Sequence, residues 1–331
     1  MTKVIDVHAH LLPRSAIAAA ETGSGWFGSE IEKDDLGRPI IVTGDRREVM
    51  GGKAHYESME RRIERMDEGG VDMQVLSLNP IFFRYYLGAD DGAAASRSIN
   101  DEIAGFITQW PDRFAGYGAL PMQDPDRAIE ELERVMQIPG MVGVSVGTHV
   151  DEANWDEPHL FPVLEAAQEL GALVFFHPSD RRLETHLPRY HLHNSIANPT
   201  ETTIAIGSLI FGGVFDRLPD LKTLFAHGGG YACWAVARFD HAYEVRAEAR
   251  EHAALFPSEY LSRLWYDSLV HSYENLRRLV DVVGVDRVML GTDFPADMGQ
   301  VDPVTWIEGS DLSDDERAAV LGGNAAALLG R

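Results

Sequence analysis

The sequence predicts a closed (β/α)8 barrel of the TIM type. Three observations carry that expectation. Short β-branched runs alternate eight times with amphipathic helical stretches across 331 residues, the pattern of parallel strands joined by crossover helices. No run leads into the GxGxxG turn that would favour an open doubly wound sheet. Several runs end in histidine or aspartate, and barrel enzymes gather their working groups at strand C-termini.

In chain order, strands are expected over 4–7, 73–78, 114–120, 142–146, 173–176, 223–226, 265–268 and 288–291. Helices are expected over 56–67, 93–109, 126–137, 160–170, 202–211, 231–250 and 273–283, with two short closing helices over 314–321 and 324–329. One segment breaks the rhythm. Residues 14–55 are too many for a simple βα loop and hold Gly23, Gly25, Gly28, Gly37 and Gly44, with extended runs at 39–43 and 47–50. A small β insertion over the barrel mouth is expected there, within one domain spanning 1–331.

The formal net charge of -23 repels phosphate backbones and anionic membranes, so neither nucleic acid nor a lipid surface is an expected partner. The one cysteine, Cys233, excludes a disulfide within the chain, and no apolar run is long enough to cross a bilayer. With no secretory signal pattern at the N-terminus, a cytoplasmic location is expected.

The candidate chemistry begins at the first strand, which ends in Asp6-Val7-His8-Ala9-His10. Side chains two apart on a strand share a face, so His8 and His10 form a two-pronged metal clamp. The fifth strand ends in His177, the sixth in His227 before Gly228-Gly229-Gly230, and the eighth runs into Asp293. Four imidazoles and a carboxylate offer one imidazole more than a four-coordinate site needs. The donor set suits one zinc ion, with manganese the alternative.

These residues resemble the decarboxylase branch of the amidohydrolase superfamily, and its 2-amino-3-carboxymuconate-6-semialdehyde decarboxylases in particular. The resemblance runs from Ile5-Asp6-Val7-His8-Ala9-His10 and Pro13 through Met66-Asp67, Leu120-Pro121-Met122-Gln123-Asp124 and His177-Pro178. It continues through Pro199-Thr200-Glu201-Thr202, His227-Gly228-Gly229-Gly230, Pro257-Ser258-Glu259-Tyr260 and Asp286-Arg287-Val288-Met289-Leu290-Gly291. It implies an amidohydrolase-type barrel whose zinc is held by His8, His10, His177 and Asp293, with His227 off the metal as the proton-transfer group. It also implies arginines for a substrate carboxylate: Arg238 and Arg246 on the helix after HGGG, and Arg47, beside Arg46, in the insertion. One of them reaches across a homodimer in that family.

Binuclear members of the superfamily bridge two metals with a carboxylated lysine after strand four. The four lysines here, Lys3, Lys33, Lys53 and Lys222, lie at no strand C-terminus, so a mononuclear site is expected. Strand four runs on to His149, read as a loop residue. The segment 181–193 departs from the family pattern, with Tyr190 where a tryptophan stands and with Arg181, Arg182, His186, His191 and His193 around it. The expected activity is therefore non-oxidative decarboxylation of a carboxylated muconate semialdehyde or a hydroxylated aromatic acid, with His227 and Asp293 catalytic. Hydrolysis of a lactone or amide, or hydration of a double bond, is the alternative within the same fold.

Overall fold

The computed structural model describes residues 3–179, 182–183 and 186–330. Among the described residues, eleven strands form two sheets. Eight are parallel and build the barrel: β1 (Ile5–Leu11), β5 (Met73–Leu78), β6 (Phe114–Ala119), β7 (Met141–Gly147), β8 (Leu173–His177), β9 (Lys222–Phe225), β10 (Trp265–Asp267) and β11 (Val288–Met289), in that spatial order. The other three, β2 (Glu30–Lys33), β3 (Pro39–Thr43) and β4 (Arg46–Val49), form an antiparallel sheet in the insertion. The chain leaving β11 closes the ring on β1, with Val7 N–H donating to Leu290 O at 2.8 Å and His10 N–H to Phe294 O at 2.6 Å.

Alternation along the strands fills the barrel. Ile5, Val7, Met73, Val75, Tyr117, Leu173, Phe175, Leu224 and Met289 point inward and form one buried cluster, plugged from below by Ala325 of the helix Asn324–Leu329. The intervening residues pack outward against the helices in a second, larger core. Helix entry follows local chemistry. Asp124 caps Pro125–Met136 by accepting from Arg127 N–H at 3.3 Å, and Ala128, Leu132 and Val135 at helical spacing are buried. Ser272 caps Tyr273–Val283 in the same way.

The structure corrects several expected boundaries. β1 runs to Leu11 instead of stopping at Val7, because His8 and His10 are themselves buried in the ladder, with a register shift between Asp6 and Ala9. β11 is two residues long; Leu290 N–H leaves the ladder for Val320 O at 2.8 Å. The helix after HGGG is Ala232–Val245, so Arg246 lies beyond its end, with φ −116° and ψ 124°. The insertion holds a helix, Arg14–Thr22, and a strand, β2, that the sequence did not announce. Gly44 at φ 58° makes the two-residue turn between β3 and β4. No helix among the described residues is long and apolar enough to cross a membrane.

Candidate metal centre and active site

Four side chains converge where β1, β8 and the segment after β11 meet. His8, His10, His177 and Asp293 are all buried, and their ligand atoms lie within 4.8 Å of one another. His8 Nε2 is 3.0 Å from His10 Nε2, which is 3.3 Å from His177 Nε2; Asp293 Oδ1 is 3.3 Å and 2.9 Å from the first two. Tetrahedral zinc with bonds of about 2.0–2.1 Å sets its ligand atoms roughly 3.3–3.4 Å apart, so the spacing suits one ion. The other ring nitrogens are engaged. His8 Nδ1 faces Asp267 Oδ2 at 2.6 Å, His10 Nδ1 lies 2.9 Å from Ser77 Oγ and 3.1 Å from Leu78 O, and His177 Nδ1 faces Pro178 O at 2.8 Å. Each ring thus turns Nε2 to the common centre, as the outer partners of metal-binding histidines do.

Electrostatics favour a cation there. Burial holds His177 well below its ordinary value and lowers His10 also, which leaves their lone pairs bare. His8 is pushed up to about 10 against the effect of burial, because Asp293 and Asp267 flank it. Burial would raise Asp293, but His8, His10 and His227 outweigh it and hold the carboxylate ionised.

His227 stands beside this group without joining it. Its Nε2 is 3.7 Å from Asp293 Oδ2, its Nδ1 is buried with no hydrogen-bond partner, and its backbone N–H donates to Asp267 at 2.9 Å. The chain turns sharply here: His227 and all three following glycines have positive φ. A Cβ at Gly230 would lie 2.2 Å from Pro199 O, and one at Gly229 would lie 2.6 Å from the Tyr266 ring, so this turn accepts only glycine. His227 and Asp293 face a cavity of about 430 Å3 walled by Tyr231, Trp234, His271 and Met298.

The structure brings the metal set and His227 together, and leaves the expected substrate residues apart from them. Arg47 is exposed and paired with Glu32 at 2.6 Å, while its neighbour Arg46 stacks on Tyr86 at 4.0 Å. Tyr190 is 83% exposed and does not line this cavity. Arg238 is exposed on its helix, and Arg246 pairs with Glu248 at 2.5 Å. Arg181 lies outside the described residues.

Three supporting residues were not singled out from sequence. Asp267, at the end of β10, accepts from His8 and from the N–H groups of His227, Gly228 and Leu269; its place at a strand C-terminus was the available signal. Asp6 ties β1 to the closing segment through Thr292 Oγ1 at 2.7 Å and N–H at 3.0 Å, and burial raises its carboxyl to about 6. Arg62, buried on the helix Met59–Glu68, donates to His10 O and, at 3.1 Å, to Gln74. One of three arginines on an amphipathic helix, with Arg61 and Arg65, reads as part of a solvated face, so nothing in the sequence marked it.

The amidohydrolase family profile matches residues 5–331. The chain is 36% identical over 330 residues to a 2-amino-3-carboxymuconate-6-semialdehyde decarboxylase of Dictyostelium discoideum, covering 98% of this chain and 91% of that one. A 5-carboxyvanillate decarboxylase structure from Sphingomonas paucimobilis superposes with a TM-score of 0.83 at 26% identity, over 100% and 99% of the two chains. A dihydroxybenzoic acid decarboxylase from Polaromonas sp. JS666, which carries manganese and an inhibitor, superposes at 0.82 with 24% identity, over 100% and 97%. The chain belongs to the amidohydrolase family and, within it, to the decarboxylase branch.

Proposed function

We infer that this protein is a metal-dependent carboxy-lyase that removes CO2, without oxidation, from a carboxylated muconate semialdehyde or a hydroxylated aromatic acid. The observation that carries the reading is the juxtaposition of four convergent metal donors with an unligated His227, 3.7 Å from Asp293, at a cavity of about 430 Å3. His8, His10, His177 and Asp293 would hold a single ion, zinc by the tetrahedral spacing, with manganese the alternative. When bound, that ion supplies Lewis-acid polarisation of a substrate oxygen.

The chain's own residues do the rest. His227 delivers a proton to the unsaturated carbon that bears the carboxylate, making it tetrahedral. The bond from that carbon to the carboxyl carbon then breaks, its electron pair restores the double bond, and CO2 departs. A proton replaces CO2 and no water is incorporated. Asp293 joins the two halves of the site, one oxygen toward His8 and His10 and the other toward His227. Asp267 fixes His8 and the His227 backbone together.

We read residues 1–331 as one catalytic unit with the insertion 14–55 over its mouth. It acts as a cytoplasmic homodimer in which Arg238 or Arg246 serves the partner's substrate carboxylate. Exposed Arg238 has no ion pair among the described residues, and it shares its helix with Trp234 of the cavity wall, which supports that role. The test is a panel of hydroxybenzoates and carboxymuconate semialdehydes offered to metal-loaded protein, with the organic products identified by mass. CO2 release with a product lighter than its substrate by CO2 is expected. A product that keeps every carboxylate and gains the mass of water would establish hydrolysis or hydration in its place.

A further inference from the structure

A second cavity, of about 160 Å3, opens among the segments that follow β5, β7 and β8, with β4 of the insertion as its remaining wall. It shares no lining residue with the cavity at His227, and nothing in the decarboxylation scheme uses it. Two of its polar groups are buried and incompletely bonded.

Arg84 follows β5 with φ 45°, a conformation costly for any residue with a Cβ, and its side chain is 1% exposed. Its Nη2 donates to the hydroxyls of Ser29, at 2.6 Å, and Thr43. Its Nε and Nη1 are buried and make no hydrogen bond. The Glu48 carboxylate is the nearest counter-charge, but it lies 3.8 Å from Nη1, beyond hydrogen-bond reach, and accepts the Tyr86 hydroxyl at 2.7 Å. Arg182, another wall residue, is taken up by Glu201 and Asn154, while Asp151 and Glu152 stand at the exposed lip.

His149 is 4% exposed, and its Nδ1 lies 2.6 Å from Asp151 O. A carbonyl only accepts, so the proton sits on Nδ1 and Nε2 presents a lone pair. That Nε2 is buried and has no partner. Burial, with Arg182 nearby, lowers His149 and keeps the ring neutral. The cavity is therefore walled by an ion-paired guanidinium with unmet hydrogen-bond donors and by a neutral acceptor without a partner, beside Ile81 and Phe83. Buried polar groups are rarely left so, and about 150 Å3 suffices for a benzene ring.

We propose that this cavity binds a small hydroxylated carboxylic acid, with its carboxylate accepting from Arg84 Nη1 and its hydroxyl donating to His149 Nε2. Two sources share that chemistry: the substrate itself, or a free hydroxy acid acting as an effector. The substrate arm rests on the decarboxylase reading; binding as such does not.

The test is calorimetric titration of metal-loaded, full-length protein with 3-hydroxybenzoate and with benzoate. Arg84→Met should weaken both ligands at least about tenfold, the scale of a hydrogen bond to a charged group. His149→Phe should weaken 3-hydroxybenzoate about fivefold and leave benzoate within about twofold. Equal binding by wild type and both variants would overturn the proposal, as would no wild-type binding at several millimolar. Where Arg84→Met does not fold, Arg84→Lys keeps the charge and should still weaken both ligands, and unchanged affinity there refutes the site. In turnover, a rise in KM alone on adding 3-hydroxybenzoate that Arg84→Met abolishes marks the cavity as part of the substrate site, and a change in kcat at constant KM that Arg84→Met abolishes marks an effector site. An effect that Arg84→Met leaves unchanged places the ligand at the His227 cavity and counts against the proposal.

Discussion

Replacing Asp267 by asparagine isolates the part of the site that holds the metal ligands in register. In the folded chain its Oδ2 faces His8 Nδ1 at 2.6 Å and accepts the His227 N–H at 2.9 Å, while Oδ1 accepts the N–H groups of Gly228 and Leu269. Asparagine has the same shape but only one acceptor oxygen. If that oxygen keeps Gly228 and Leu269, an NH2 group faces His8 Nδ1. The imidazole must then accept at Nδ1 and carry its proton on Nε2, the nitrogen that points at the metal. The alternative orientation sets NH2 against two backbone N–H groups, leaving buried donors unmet at about 1–3 kcal/mol. Outer partners of ligating histidines change metal affinity 10–100-fold, or about 1.4–2.7 kcal/mol. Asp267→Asn should therefore weaken zinc binding by that factor in competition with a chromophoric chelator, and kcat should fall as well because the His227 backbone loses an anchor. A metal affinity within about threefold of wild type, in a variant that folds, would refute the assignment of Asp267 as the orienting group.

Elemental analysis of purified protein should give about one divalent ion per chain, and His177→Ala should lose metal and activity together; close to two ions per chain would contradict the mononuclear reading. His227→Ala should retain the metal and lose at least about a hundredfold in kcat, the usual scale for a positioned acid or base; loss of metal in its place would make His227 a ligand. Mixing Arg238→Ala with His227→Ala should restore up to about half of wild-type activity per heterodimer, because one of two sites is then whole. Heterodimers detected by mass without recovered activity would assign Arg238 to its own chain.

Much of this molecule was readable in advance because its information is periodic or positional. Alternation of strand and helix announced eight parallel strands, and the donors His8, His10, His177 and Asp293 were legible because each lies within or just after a barrel strand. The illegible parts are those fixed by distant partners. Arg62 and Asp6 take their meaning from Gln74, His10 and Thr292, contacts that no local pattern encodes. β2 was missed because Glu30-Ile31-Glu32-Lys33 is nearly all charged and pairs only along an exposed edge. Arg246 was misplaced on a helix face because the expected helix, 231–250, ran past the true end at Val245.

The closure of the ring on its own first strand orders the molecule's assembly in time. Asp293 N–H bonds to His8 O at 2.8 Å, and Thr292 reaches Asp6 across 286 positions of sequence. Two of the four convergent donors leave the ribosome almost first and one almost last. A growing chain therefore cannot form the complete metal-binding set until nearly all of it has been made, and contacts of such long range are slow to form. Until then His8 and His10 stand on an unclosed sheet, where the nascent chain offers sticky edges and no finished site.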